Sequence, residues 1–293
     1  MFDTNDTNIR AGFIGLGAMG LPMAGHLSRA GLLGAVWNRT HAKAVEAARE
    51  WSVDAPADVA DLARACNVIA LCVPADADVL ELAQVIAANA NAGSVVIDHS
   101  TVSSVTAKAA HALLAERGIA FVDAPVSGGV EGARNGKLSV MVGGDADALV
   151  RVRPVLDCYG AKINHMGAVG AGQNTKAVNQ VLVAGIAQAV CEGLALSEKL
   201  GLDPQTLLPT LGAGAAGNWF LDKRGATMLA DEFKVGFKLA LLHKDLKIVR
   251  ELARDAGTDR SVIEKSLADY AVLIAQGHGD DDISALIRLK RKG

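Results

Sequence analysis

The sequence predicts an α/β protein: a doubly wound, mostly parallel sheet with helices on both faces, followed by an all-helical C-terminal domain. Three observations carry this prediction. Up to residue 166, short β-rich runs alternate with alanine-rich helical stretches, the pattern that specifies parallel strands joined by crossover helices. A glycine-rich loop, Gly12-Phe13-Ile14-Gly15-Leu16-Gly17-Ala18-Met19-Gly20, directly follows the first apolar run. From Ala171 onward no strand signal returns, and the chain reads as helix throughout.

Taken in order, the strand candidates are 11–15, 34–38, 67–73, 94–98, 119–123, 137–142 and 161–166. Between them lie helical segments at 19–30, 41–50, 56–65, 76–90, 103–117 and 145–158. The change of pattern falls at 166–172, giving a first domain at 1–168 and a second at 169–293. A long helix over 175–200 leads into the second domain, which is punctuated at Gly201, Asp203-Pro204, Gly212 to Gly217 and Gly277 to Gly279.

Composition narrows the function classes. The 293 residues are 51% hydrophobic and 21% charged, enough to bury large cores. A net charge of -3 argues against a nucleic-acid or anionic-membrane surface. The cationic cluster Arg288, Lys290, Arg291 and Lys292 reads as a solvated helix end. The first ten residues are polar and acidic, unlike a signal peptide, and no uninterrupted apolar run reaches the ~18 residues of a membrane span. A cytoplasmic location is expected. Four scattered cysteines without a C-x-x-C pair, and seven dispersed histidines, predict buried thiols and no metal site.

The glycine loop carries the first chemistry. It is a G-x-G-x-x-G turn from strand to helix: Gly15 permits the tight turn, Gly17 lets backbone approach a pyrophosphate, and Gly20 lets helix and strand pack closely. Leu16, Ala18 and Met19 complete the phosphate loop, and the following helix start favours an anion. The predicted fold is therefore of the Rossmann type, with a nicotinamide dinucleotide as cofactor. The end of the second strand selects between cofactors, because a carboxylate there accepts from the ribose hydroxyls of NAD. Asn38-Arg39-Thr40 stands there instead, with no carboxylate. Arg39 can pair with a 2′-phosphate and Asn38 and Thr40 can donate to it, with Lys43 a weaker partner. This favours NADP over NAD. Further contacts are expected from the C-terminal strand ends, at Val73-Pro74 and at Thr101. Asp76 and Asp78 read alternatively as an ordinary acidic helix start.

Three later segments carry the rest. Ser127-Gly128-Gly129 after a strand offers a hydroxyl and unshielded backbone N–H groups, a nest suited to a carboxylate. In Gly170-Ala171-Gly172-Gln173-Asn174-Thr175-Lys176, and on through Asn179-Gln180, a lysine and two amides share one face of a helix. Lys244 beside Asp245 lies on a later helix, and Trp219-Phe220 reads either as a wall near the substrate or as core packing.

With these motifs in this order, from GFIGLGAMG through DAPVSGGVEGARNGKLSVMVGG and GAGQNTKAVNQ to HKDL and GDDDISAL, the chain resembles the β-hydroxyacid dehydrogenases along nearly its whole length. That family includes 3-hydroxyisobutyrate dehydrogenase, tartronate semialdehyde reductase, glyoxylate and succinic semialdehyde reductases and, more distantly, 6-phosphogluconate dehydrogenase. The resemblance implies that Lys176 is the catalytic acid/base and that Ser127, Gly128 and Gly129 hold the substrate carboxylate. It implies further that Asn179 and Gln180 orient the substrate and that Lys244 lines the pocket, where it also meets the cofactor. Such a lysine must lose its proton more readily than the usual ~10.4, which burial or a second cation brings about.

Departures sharpen the expectation. Asn179-Gln180 replaces the His-Asn of the phosphogluconate enzymes, so a phosphorylated sugar acid is not expected. Lys176 stands where imine reductases carry Asp or Tyr, which points to carbonyl chemistry. Arg39 stands where many 3-hydroxyisobutyrate dehydrogenases carry an acidic residue. The expected partner is a small hydroxy or oxo acid, with 3-hydroxyisobutyrate and tartronate, glyoxylate or succinic semialdehyde as competing substrates. The reading from another class is a non-catalytic dinucleotide-binding scaffold. Wide apolar faces over 181–196 and 262–275 predict a homodimer or homotetramer.

Overall fold

A computed structural model describes residues 9–292; the acidic opening stretch, 1–8, lies outside the described residues. Two compact units divide at the bond between Lys176 and Ala177.

The first unit is an eight-stranded sheet with helices. Its elements begin with β1 (Ala11–Ile14), α1 (Gly20–Arg29), β2 (Leu33–Trp37), α2 (His41–Trp51), α3 (Val59–Ala65) and β3 (Val68–Leu71). Then come α4 (Asp76–Asn89), β4 (Val95–Asp98), α5 (Ser104–Ala115) and β5 (Ala120–Asp123). The unit continues with β6 (Val126–Ser127), α6 (Gly129–Arg134), β7 (Leu138–Gly143), α7 (Ala146–Asp157) and β8 (Gly160–Gly167). All seven predicted strands are present. The short pair β6 and α6 was not predicted, since two strand residues leave no periodicity to read.

Strands run in the order β2-β1-β3-β4-β5-β7-β6, with β8 beside β7. β2, β1, β3, β4 and β5 are parallel, whereas β7 runs antiparallel to β5 and β6. The continuous apolar runs of β3 and β4 follow from burial on both faces. Alternation divides them between two cores: Phe13, Ala70 and Ile97 pack on one face, Ile14, Ile69 and Val96 on the other. The order reverses between β1 and β3, so the crevice for a ligand opens beyond the C-terminal ends of those two strands.

Helix α8 (Ala171–Lys199) begins in the first unit and continues as the first helix of the second. After it come α9 (Pro204–Ala213), α10 (Trp219–Leu229), α11 (Leu239–Asp255), α12 (Ser261–Ala275), a 3-10 turn (Ile283–Leu286) and α13 (Ile287–Lys290). Ala184, Ala187, Cys191 and Leu194 of α8 join Leu242 and Leu246 of α11 and Tyr270 of α12 in one core. By length and composition α8 is apolar enough to cross a membrane. The buried residues just named are those of a helix packed in a protein core.

Buried Asp282 organises the end of this unit, accepting from the N–H groups of Gly236 (2.8 Å) and Phe237 (3.0 Å) and from the Ser284 hydroxyl (2.7 Å). Arg224 lies 3.4 Å from the same carboxylate. The cationic C-terminal cluster departs from the expectation of a solvated helix end. Arg291 pairs with Glu198 at 2.8 Å and with Asp231 at 2.8 Å, and Lys290 pairs with Asp269 at 3.0 Å. Arg288 pairs with Asp281 at 2.9 Å and stacks over Phe233. Only Lys292 of the four is exposed. The last turn thus fastens to α8 and α12, because acidic side chains on those helices lie within its reach. Phe220 packs in the core, while Trp219 is exposed under the Arg224 guanidinium.

Candidate active site

The predicted cofactor residues gather at the strand ends of the first unit. Gly15 has φ +98°, a left-handed conformation, and a Cβ there would collide with the Cys72 carbonyl oxygen. Only glycine fits where the loop after β1 crosses the end of β3. Gly17 is exposed, and a Cβ on it would meet nothing within 4 Å. Open space over bare backbone there, at a helix start, suits a pyrophosphate. The Asn38 amide is committed to this loop: its Oδ1 accepts from Leu16 N at 2.9 Å and its Nδ2 donates to the Thr40 carbonyl at 3.1 Å. Asn38 therefore braces the glycine loop, leaving Arg39 and Thr40 exposed at the end of β2. The Arg39 guanidinium lies 3.2 Å from Asp78 in the first turn of α4.

A chain of hydrogen bonds runs along the strand ends. Val73 N donates to the Ser100 hydroxyl at 3.0 Å, joining the loops after β3 and β4. The Gln173 amide donates to the Ser100 carbonyl at 2.7 Å and accepts from Val102 N at 3.2 Å. Asp123, at the end of β5, accepts from Gly170 N at 2.7 Å and Gln173 N at 2.9 Å, capping the start of α8. One turn further on, Lys176 is buried, and its ammonium donates to the Val126 carbonyl at 2.9 Å.

Val126 immediately precedes Ser127, so the lysine sits on the strand that leads into the Ser127-Gly128-Gly129 turn. Gly128 (φ +130°) and Gly129 (φ +62°) are both left-handed, which turns successive N–H groups to one side. The far end of α6 is held by His26 of α1, whose Nε2 lies 3.0 Å from the Ala133 carbonyl. The helix that starts at the glycine loop thus supports the turn that follows Ser127.

Buried polar groups behind these loops set their electrostatics. Burial raises the Asp98 carboxyl to about 7, and its Oδ2 has no hydrogen-bond partner. Burial also raises Asp123, against the opposing effect of the amides it accepts from. His99, between the Ala124 carbonyl (2.7 Å) and the Tyr159 hydroxyl (2.8 Å), is lowered to about 4 by burial.

The helical unit holds its own polar cluster. Asn179 donates to the Gln180 amide oxygen at 2.8 Å, and Gln180 donates to Asp245 at 2.7 Å. The Lys244 ammonium lies 2.8 Å from the other Asp245 oxygen. Gln180 is buried with both ends of its amide used, so it reaches beyond itself through Asn179 and Asp245.

Sequence reasoning singled out neither Asp123, Gln173 nor Asp245 as a site residue. Gln173 stood inside the glycine motif that was read for its lysine. A buried aspartate at a strand end has no periodic signal.

Comparison with known proteins agrees with this geometry. Residues 10–167 match the family model of the NAD-binding domain of 6-phosphogluconate dehydrogenase. Residues 170–290 match that of the NAD-binding domain of NADP-dependent 3-hydroxyisobutyrate dehydrogenase. A probable 3-hydroxyisobutyrate dehydrogenase of Mycobacterium tuberculosis is 35% identical over 290 residues, 95% of this chain and 97% of the relative. The NAD-dependent L-serine dehydrogenase of Pseudomonas aeruginosa is 33% identical, covering 94% of this chain and 96% of its own. Among solved structures, M. tuberculosis 3-hydroxyisobutyrate dehydrogenase with L-serine superposes at a TM-score of 0.87 with 33% identity, over 97% of this chain and 99% of that one. Two family models in succession, and relatives matched over nearly the full length, lead to one conclusion: the chain belongs to the β-hydroxyacid dehydrogenases and is an NAD(P)-dependent 3-hydroxyacid dehydrogenase of the 3-hydroxyisobutyrate dehydrogenase type.

Proposed function

We propose that the enzyme interconverts a small 3-hydroxyacid and its semialdehyde, prefers NADP, and uses Lys176 as its acid/base. The observation that carries the reading is the Lys176 ammonium, buried and 2.9 Å from the Val126 carbonyl beside Ser127. Bound at the glycine loop, the dinucleotide supplies or accepts the hydride. The rest falls to the chain. Ser127 and the N–H groups of Gly128 and Gly129 hold the substrate carboxylate. Lys176 gives its proton to the oxygen that becomes the hydroxyl in the reductive direction and takes it back in the oxidative one. Asn179, Gln180 and Lys244 orient the substrate, with Asp245 fixing the lysine and the amide.

Preference for NADP rests on the exposed Arg39 guanidinium where a carboxylate would select NAD. Gly15 to Gly20, Thr40, Val73, Pro74 and Thr101 complete the cofactor contacts. The relatives named above lend support to 3-hydroxyisobutyrate and L-serine as substrates. Assembly as a homodimer or homotetramer is supported by exposed Val178, Leu182, Ile186 and Leu196 along α8. Light scattering that finds only a 30.2 kDa species contradicts that assembly.

The test is a 340 nm screen of NADP and NAD against 3-hydroxyisobutyrate and L-serine. The reverse direction uses methylmalonate, tartronate and succinic semialdehydes and glyoxylate. Turnover with a 3-hydroxyacid and faster reaction with NADP is the expected result. Absence of turnover with every pair overturns the substrate class.

A further inference from the structure

The start of α8 is tied to the sheet through one buried side chain. Gln173 is 3% exposed, and its amide brackets Thr101 from both sides, donating to the Ser100 carbonyl at 2.7 Å and accepting from Val102 N at 3.2 Å. Its own N–H is fixed by Asp123 at 2.9 Å. Lys176 follows three residues later in the same helix, so a displacement of Gln173 moves the lysine with it. Gly172 adds stiffness: a Cβ there would strike the carbonyls of Met141 and Asp123, so the first turn packs directly on backbone.

We propose that Gln173 is a positioning residue that fixes the Thr101 loop in register with Lys176, and through them the cofactor ring with the group that moves the proton. The inference rests on the roles given above to Thr101 and Lys176. Its physical basis is that hydride transfer tolerates little error in approach: misplacement by about 1 Å costs roughly 100-fold in rate. Nucleotide affinity depends far less on this register, because the phosphates are held by the glycine loop on the other side of β3.

The test uses Gln173→Ala and Gln173→Glu in the full-length protein. The glutamate keeps an oxygen for Val102 N but sets another against the Ser100 carbonyl. If the alanine variant does not fold, the glutamate variant carries the test. Without nucleotide, hydrogen exchange at the Val102 amide should accelerate about 10-fold or more in Gln173→Ala, because its acceptor is gone. With 3-hydroxyisobutyrate as substrate, kcat should fall about 100-fold, while the Kd of NADPH, read by fluorescence, changes by about threefold or less. Deuterium at C3 of the substrate should slow the variants more than the wild type. A folded variant with wild-type kcat and an unchanged isotope effect overturns the proposal, as does unchanged Val102 exchange in Gln173→Ala. Lys176→Ala separates this from the underlying reading. If it retains turnover while the Gln173 variants lose it, the acid/base role falls and only the hold of Gln173 on the Thr101 loop stands.

Discussion

Four aspartates are buried among the described residues, two in each unit, and the units treat them differently. In the first, Asp98 accepts from Ser100 N and Asp123 from Gly170 N and Gln173 N; no cation is among these partners. In the helical unit, Asp245 faces Lys244 and Asp282 faces Arg224. Carboxylates met by amides and a hydroxyl, with no cation, pay for burial in raised pKa values, as Asp98 and Asp123 show. Paired carboxylates hold their neighbours by charge instead. One unit therefore fixes its loops with carboxylates whose protonation is soft, bonded to backbone groups, and the other fixes its helices with ion pairs.

Removing one carboxylate from each unit should break this comparison most strongly. Asp282→Ala strands the half-buried Arg224, breaks four hydrogen bonds from Gly236 N, Phe237 N, Ser284 N and the Ser284 hydroxyl, and is expected to cost about 3–5 kcal/mol. Asp123→Asn keeps one acceptor and the shape, so its cost should be about 1–3 kcal/mol. Denaturant unfolding gives both values, and equal losses would remove the distinction. Arg39 offers a third contrast, a cation in the first unit with an exposed role. Arg39→Ala should weaken NADPH about 10-fold or more and leave NADH within about twofold, in line with a lost charge-assisted phosphate contact. Parallel losses for both nucleotides would show that Arg39 does not read the phosphate.

The smallest expected effect is a slope. A raised Asp98 means that the folded protein holds this proton more tightly than the unfolded chain does. Its contribution favours folding below the ordinary carboxyl value of 3.8 and is lost as pH rises through about 7. His99, lowered from 6.5 to about 4, works the other way: its penalty in acid disappears as pH rises across that interval. Between pH 4 and 6.5 the two oppose each other. Asp98→Asn should expose the histidine alone, so that stability climbs with pH more steeply than in the wild type, by up to about 1.4 kcal/mol per pH unit. Parallel profiles would contradict the soft protonation of the first unit.

The same contrast explains what was legible in the sequence. Backbone devices leave a trace as glycine: Gly15 and Gly128 were readable because few other residues tolerate those positions, and Gly17 because bare backbone there leaves room for a pyrophosphate. Strands β3 and β4 were readable because burial on both faces demands unbroken apolar runs. Lys176 and Asn179 stood out as polar groups at helical spacing on an otherwise apolar face. Asp123 and Gln173 did not, because their partners are backbone groups 47 to 73 residues away. Nor did the Arg291 clamp, whose acids are Glu198 on α8 and Asp231 in the turn after α10, far off in sequence. The bond from Leu16 N to Asn38 was not legible either, because a side chain that folds back on a loop 22 residues earlier leaves no pattern in the sequence.

The central claim is that buried Lys176 moves the proton while the glycine loop holds the nucleotide. It is tested most directly by measuring kcat and NADPH affinity together in Lys176→Ala. The account predicts a kcat lower by about 100- to 10,000-fold with NADPH binding nearly unchanged. A variant that keeps wild-type kcat would contradict it.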